Sequence, residues 1–563
     1  MVIEIDGLTI RFGRRTVVED IGFTLEPGRC VALVGESGAG KSLSARAAIG
    51  LVPEEATVHA TTLRIGDREL RAADDRAWQH VRGRTVALVT QDSQNALDPL
   101  RRVGDEIAEP LRIHEPGLTV DERRERVLEL MTRVGIPAPG TRALQFPGEL
   151  SGGLRQRALI ASALAAEPSF IIADEPTTAL DTITRRLVLD LLAARKREGI
   201  GLLVVSHDLG VVAELADEVL VLRDGRVVER GAADDVLRAP AHEETRALLA
   251  AVPDGRRITV HDVADAVDDP ASGADDTTSD TEPVLVARGL RKGYALPGGG
   301  AVDAVADVYL ELRRGTTLGV VGESGSGKST LARLLLAIEE PDAGTVHLGG
   351  EPWLGRLGAA DVGTATSGRG QGRGRVRAVR ERDRHRRRGA IQLVQQDAFG
   401  SFDPRWTVRR IVRESPARPD DRRIDELLRL VDLDPALGSR RPWQLSGGQR
   451  QRVAIARAIA SDPSVLVADE PVSALDATVQ RTVLELFVRL RERLGVAIVF
   501  ISHDLGVVES ISDEILVMQD GEVVERGPVD RVVGAPEHEF TRRLLAARST
   551  ELGVPSRVCV PGE

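Results

Sequence analysis

The sequence predicts an α/β protein made of two copies of one domain, each with a parallel sheet at its core. Three observations predict it. Short β-branched runs such as VALVGE, FIIADE and GLLVVSHD alternate with Ala-, Leu- and Arg-rich stretches, the alternation expected of a parallel sheet flanked by helices. A glycine-rich segment of fixed spacing, Gly, four residues, then Gly-Lys-Ser, occurs as GESGAGKS at Gly35–Ser42 and as GESGSGKS at Gly322–Ser329, each after an apolar run. Later landmarks repeat at a nearly constant offset: 287 from Gly35 to Gly322, 295 from Ser151 to Ser446 and from Asp174 to Asp469, and 296 from His207 to His503.

A chain of 563 residues exceeds one ordinary core, and the repeat divides it into domains at 1–252 and 284–563. Between them, residues 253–283 are rich in Asp, Ser and Thr and poor in large apolar side chains, so they read as a flexible acidic linker. The second copy carries an Arg/Gly-rich insert at about residues 355–388, which reads as a low-complexity, disordered surface insertion without an assigned function. Its last arginines lead into the strand IQLVQQD.

Hydrophobic residues at 42% and charged residues at 29% match a soluble globular protein. The formal charge of −11 disfavours nucleic acid or anionic lipid as a partner of the chain as a whole. No apolar run approaches the roughly 18 residues a bilayer span requires, and MVIEIDGLTI lacks the basic-then-apolar pattern of a leader, so the chain is expected to stay in the cytosol and to form no pore. Two cysteines, Cys30 and Cys559, are too few for a disulfide framework or a thiolate metal site, and Cys30 reads as a small buried strand residue.

The repeated glycine segment is a phosphate cradle. Gly35, Ser37, Gly38 and Gly40, with Gly322, Ser324, Gly325 and Gly327 in the second copy, let consecutive amides turn toward one anion, while Lys41 and Lys328 supply charge and Ser42 and Ser329 a magnesium ligand. Downstream, the apolar runs FIIADEP and VLVADEP deliver paired acids to a strand end. There Asp174 and Asp469 can hold magnesium, and Glu175 and Glu470 can orient and deprotonate the water that attacks a γ-phosphate. Gln91 and Gln396 follow the strands VALVT and IQLVQ, where an amide can ligate magnesium. His207 and His503 close further strands, where an imidazole can bridge γ-phosphate and the glutamate. Phe12 and Tyr294 precede the cradles at places where a ring can stack on adenine. Finally, Ser151-Gly152-Gly153 and Ser446-Gly447-Gly448-Gln449 each open a predicted helix and expose amides to an anion. Each half already has one cradle, so this second anion-binding turn makes best sense facing the nucleotide of the other half, in a head-to-tail pair.

Together the cradle, glutamine, LSGGQ-like signature, Asp-Glu pair, TALD and SALD turns (Thr178–Asp181, Ser473–Asp476) and histidine resemble the ATP-binding cassette family, over nearly all the chain except linker and insert. The resemblance implies two tandem P-loop NTPase domains, each with a parallel-sheet core, an antiparallel β subdomain and a helical subdomain. It further implies two ATP molecules with Mg²⁺ sandwiched within the chain, Ser37–Ser42 facing Ser446–Gln449 and Ser324–Ser329 facing Ser151–Leu154. Within that family, QDSQNALDP, QQDAFGSFDP, PAHEETRALL and PEHEFTRRLL are similar to the peptide and nickel importers, in which each motif usually occurs once per ATPase subunit; this chain resembles both subunits fused. Three features depart from that branch: Leu154 stands where glutamine is commonest, the closing motifs lack a Pro-Tyr pair, and the cysteines some relatives carry after the first cassette are missing.

The resemblance implies an ATPase that energises a peptide or small-solute importer at the cytoplasmic face of the cell membrane. Its partners would be two permease subunits and, through them, an extracytoplasmic solute-binding protein, with no direct nucleic-acid partner. The rival is a soluble tandem cassette acting on ribosomes or DNA, against which stand the short acidic linker and the missing zinc cysteines. An exporter ATPase uses the same sites and stays open, as does the transported solute.

Overall fold

Continuous apolar strands cannot face water on either side, so CVALVG at Cys30–Gly35 and TLGVVG at Thr317–Gly322, buried at every position, take the middle of a parallel sheet. The computed structural model describes residues 1–71, 74–90, 96–178, 180–252, 257–258, 282–295, 301–357, 377–378, 381–473 and 475–547. The chain forms two units, one built chiefly on Met1–Val252 and the other on Pro253–Leu475 and Val479–Ala546.

In the first unit the described strands of the main sheet run in the order Arg226–Ala232, Glu218–Arg223, Cys30–Gly35, Gly201–Val205, Phe170–Asp174, Val86–Val89. All pairings are parallel except the outer one between Glu218–Arg223 and Arg226–Ala232. The second unit repeats this order with Glu522–Pro528, Glu514–Gln519, Thr317–Gly322, Ala497–Ser502, Val465–Asp469 and Ile391–Val394. A parallel sheet brings all its strand ends to one edge, so Gly35, Asp174 and Val205 finish together although they lie far apart in sequence.

Against each main sheet lies an antiparallel subdomain. Ile3–Phe12 pairs with Arg15–Leu25, Thr62–Ile65 and Ala56–His59 in the first unit, and Leu285–Ala295 pairs with Ala301–Leu312 and Ala343–Leu348 in the second. Trp353, fully buried, donates from Nε1 to the carbonyl of Leu335 at 2.8 Å, which ties this subdomain to the helix that leaves the second cradle. Truncating such a tryptophan costs about 3–5 kcal/mol.

A helical subdomain is inserted ahead of the Asp-Glu strand. In the first unit Val103–His114, Val120–Arg133 and Gly152–Leu164 bury Ile107, Leu111, Val127, Leu130 and Ile160 in one cluster. Thr119 and Glu122 cap the second of these helices reciprocally, a capping box that satisfies amides left without intrahelical partners. The counterparts in the second unit are Val408–Arg413, Asp421–Leu430 and Gly447–Ile459.

The reading of residues 355–388 as a disordered insertion fails at its described ends. Strand Glu351–Leu357 enters it, and helix Glu381–Arg387 leaves it. Arg384 pairs with Glu381 at 2.8 Å, and Arg387 stacks over Trp353 at 6.0 Å, so the last arginines are spent on local structure before the strand at Ile391 begins. The middle of the insert lies outside the described residues. So does most of the linker; of the part that is described, Arg257 pairs with Asp513, and Ile258 donates its N–H to Ser510 at 2.8 Å. Among the described residues no helix is long and apolar enough to cross a membrane.

Candidate nucleotide sites

The first cradle is a turn from strand Cys30–Gly35 into helix Lys41–Ala47. Gly35, Gly38 and Gly40 all have positive φ, at 145°, 85° and 92°, and a Cβ on Gly35 would come within 2.2 Å of the carbonyl oxygen of Leu222. Only glycine fits there. Lys41 is almost wholly buried, and its ammonium donates to the carbonyls of Gly35 and Glu36, both at 2.7 Å. Two of three N–H donors are thus engaged within the loop. Burial pulls the Lys41 pKa down, and the nearby Glu175 charge opposes that.

Asp174, at the end of its strand, is fully buried. One carboxylate oxygen accepts from the Ser42 hydroxyl at 2.7 Å and the other from Arg46 at 3.2 Å. A hydroxyl and a carboxylate in contact at a phosphate cradle form an all-oxygen donor set, which suits Mg²⁺. Arg46 escaped sequence reading, although an arginine five residues after the cradle lysine, Arg46 and Arg333, was the available signal.

Glu175 follows with φ of 49°, a left-handed conformation that a non-glycine residue adopts only under constraint; its N–H is held by the carbonyl of Val205 at 2.9 Å. Its carboxylate meets His207 Nδ1 at 3.2 Å and accepts from the Thr178 hydroxyl at 3.0 Å. Burial pushes the Glu175 pKa up, but the hydrogen bonds from His207 and Thr178 and the charges of His207 and Lys41 together outweigh it, and the net direction is down. For His207 the signs reverse: burial is the largest single effect and lowers its pKa, but the hydrogen bond and charge of Glu175 with the charge of Asp208 together outweigh it, and the net direction is up. Each partner thus favours the charged form of the other.

The second site repeats this plan. Gly325 and Gly327 have φ of 87° and 100°, and Lys328 donates to the carbonyls of Gly322 and Glu323 at 2.8 and 2.7 Å. Ser329 donates to Asp469 at the longer distance of 3.4 Å. Burial and the neighbouring Glu470 charge raise the Asp469 pKa. Glu470, with φ of 48°, sits 3.3 Å from His503 Nδ1. Ser37 and Ser324 lie within the two cradle turns. Gln396 donates to the Ser473 hydroxyl at 3.1 Å, whereas Gln91 lies outside the described residues.

Each signature serine caps its helix: Ser151 accepts from the N–H of Leu154, and Ser446 from that of Gln449, both at 3.3 Å. The copies differ in one respect. The Gln449 side chain accepts back from the Ser446 N–H at 3.1 Å and completes a capping box, which Leu154 has no oxygen to do. Gly152 and Gly447 open the two helices. Gly153 and Gly448 are buried, and a Cβ on them would meet Thr184 at 2.8 Å and Val479 at 2.3 Å. The two aromatics also differ. Tyr294 is 37% exposed and donates to Glu339 at 2.7 Å, beside Thr330 of the helix that leaves the cradle. Phe12 is half-buried against the antiparallel core of its unit.

The ABC transporter family matches residues 18–178 and 305–473. The oligopeptide transport ATP-binding protein OppD of Mycobacterium tuberculosis is 38% identical over 606 residues, covering 94% of this chain and 95% of the relative. The glutathione import ATP-binding protein GsiA of Escherichia coli is 37% identical over 589 residues, covering 99% and 90%. In structure, the chain is similar to one in ribosome-bound archaeal Pelota and ABCE1, with a TM-score of 0.59, 19% identity and coverage of 96% of this chain and 80% of that one, a likeness that shows the fold alone. With two copies of the ABC transporter match and near full-length relatives above 30% identity, the chain belongs to the ABC transporter family.

Proposed function

We propose that this ABC-family ATPase energises a transporter importing peptides or similar small solutes. The observation that carries the reading is the near full-length identity to OppD and GsiA, whose names describe oligopeptide transport and glutathione import. On this reading the chain works at the cytoplasmic face of the membrane, docked on two permease subunits that receive solute from an extracytoplasmic binding protein. The two cassettes pair within the chain and enclose two ATP molecules.

In each cassette the cradle amides and Lys41 or Lys328 bind the phosphates, and Tyr294 and Phe12 lie against the adenine. Ser42 with Asp174, and Ser329 with Asp469, would hold Mg²⁺, together with Gln91 and Gln396; the ion supplies charge neutralisation at the transferring phosphoryl group. Glu175 and Glu470 take a proton from the attacking water, and His207 and His503 hold those carboxylates in place. The signature turns Ser151–Gly153 and Ser446–Gln449 close on the nucleotide of the opposite cassette.

Two measurements test this. In the Glu175→Gln, Glu470→Gln double variant ATP turnover is expected to fall roughly 10²- to 10⁴-fold, the scale of positioned base catalysis. Unchanged turnover would sink the assignment. Affinity capture of that variant from detergent-solubilised cells with ATP is expected to bring two permeases and a solute-binding protein; ribosomal or DNA-repair proteins without permeases would reverse the choice of partner.

A further inference from the structure

The two cassettes hold one backbone turn in common and use its hydroxyl differently. Three residues after the glutamate, the N–H of Thr178 donates to the carbonyl of Glu175 at 3.3 Å, and that of Ser473 to the carbonyl of Glu470 at 3.4 Å. The glutamates themselves have nearly equal φ, 49° and 48°. On this shared turn the Thr178 hydroxyl donates to the carboxylate of Glu175 at 3.0 Å. The Ser473 hydroxyl instead donates to the main-chain carbonyl of Glu470 at 3.2 Å, and accepts from the side-chain amide of Gln396 at 3.1 Å. One acceptor site and one donor site of the hydroxyl are then both used, as a half-buried group requires. The second setting links the strand-end glutamine to the backbone of the glutamate through a single oxygen.

We propose that Thr178 and Ser473 are positioning residues for hydrolysis, whose hydroxyl has two settings: clamped on the carboxylate of the base, or bridging the base's carbonyl to the strand-end glutamine. The proposal rests on the reading of Glu175 and Glu470 as the bases. A carboxylate restrained by His207 and Thr178 together has a narrower range of directions than one restrained by the histidine alone, and a base that must meet one water gains from that restriction. In the bridging setting the carboxylate loses that second restraint, while a displacement of Gln396 is passed to the peptide carbonyl of Glu470. The hydroxyl therefore gates the alignment of the base according to what the glutamine holds.

The test is steady-state ATP hydrolysis by the full chain carrying Thr178→Val and Ser473→Ala together, with Thr178→Ser and Ser473→Thr as conservative controls. Loss of one hydrogen bond to the base is expected to lower kcat roughly three- to tenfold with KM for ATP unchanged. The conservative pair is expected to stay within about twofold of the parent, because the hydroxyl persists. Wild-type kcat in the Val/Ala variant, while Glu175→Gln, Glu470→Gln is inactive, would overturn the positioning role and leave the bases standing. Turnover surviving in the Gln/Gln variant would remove the bases and this proposal with them. A fall in kcat with a matching rise in KM that the conservative pair shares would make the two residues packing elements, and would also overturn it.

Discussion

Replacing Gly327 with alanine sets a methyl group against a main-chain oxygen that has no freedom to leave. At φ of 100° the added Cβ lies 1.9 Å from the carbonyl oxygen of Ala304, in the antiparallel strand Ala301–Leu312. No side-chain rotation relieves that, because the obstacle is backbone held in a ladder. Gly325 provides the control: its φ of 87° imposes the same left-handed penalty, yet nothing stands within 4 Å of its Cβ position. Gly325→Ala should therefore cost only the dihedral strain, about 1–2 kcal/mol. Gly327→Ala carries that strain plus forced displacement of two packed segments, a further ~2 kcal/mol or more. For a unit of this size each kcal/mol moves the unfolding midpoint by roughly 2–4 °C, so the two variants should differ by about 4–8 °C in the transition of the second cassette. Calorimetry of the full chain reads this, and fluorescent-nucleotide titration should show the larger affinity loss in Gly327→Ala. Equal midpoints for the two variants would refute the steric argument, and dihedral strain alone would then explain the glycines.

Two further outcomes follow from charge and burial. The stability contributed by the pair of Glu175 and His207 should peak at mildly acidic pH: a depressed glutamate pKa contributes above its unfolded value and is lost as pH falls through the folded one, and a raised histidine pKa contributes below its unfolded value and is lost as pH rises through the folded one. The midpoint difference between parent and His207→Ala should thus be largest at about pH 5–6 and shrink on both sides; a difference growing steadily with pH would contradict the charged pair. Burial pushes the Cys30 thiol up to about 12, so at pH 8 almost none of it is thiolate and alkylation of Cys30 in the native chain should be negligible, becoming rapid in urea. Native labelling of the Cys30 peptide at the rate of a free thiol, read by mass spectrometry, would refute its burial.

Short-range chemistry was legible in the residues alone. A phosphate cradle needs its glycines, lysine and serine within eight consecutive positions, and an acid pair at a strand end needs only an apolar run before it, so both copies of each appear as contiguous text. The duplication, the parallel sheet and the placement of Asp174, Glu175 and His207 at strand ends follow from the same local patterns. The ends of the Arg/Gly-rich insert were misread because composition weighs charge without seeing Trp353, against which Arg387 stacks. What only the tertiary structure decided is which atoms meet at the strand ends: that Arg46 shares Asp174 with Ser42, that Thr178 turns to a carboxylate while Ser473 turns to Gln396, and that Gln449 closes a capping box Leu154 cannot. Those pairings depend on rotamers and on distances of a fraction of an ångström between segments far apart in the chain. Sequence spacing specifies which residues reach the site; packing selects how each hydroxyl and guanidinium is directed once there.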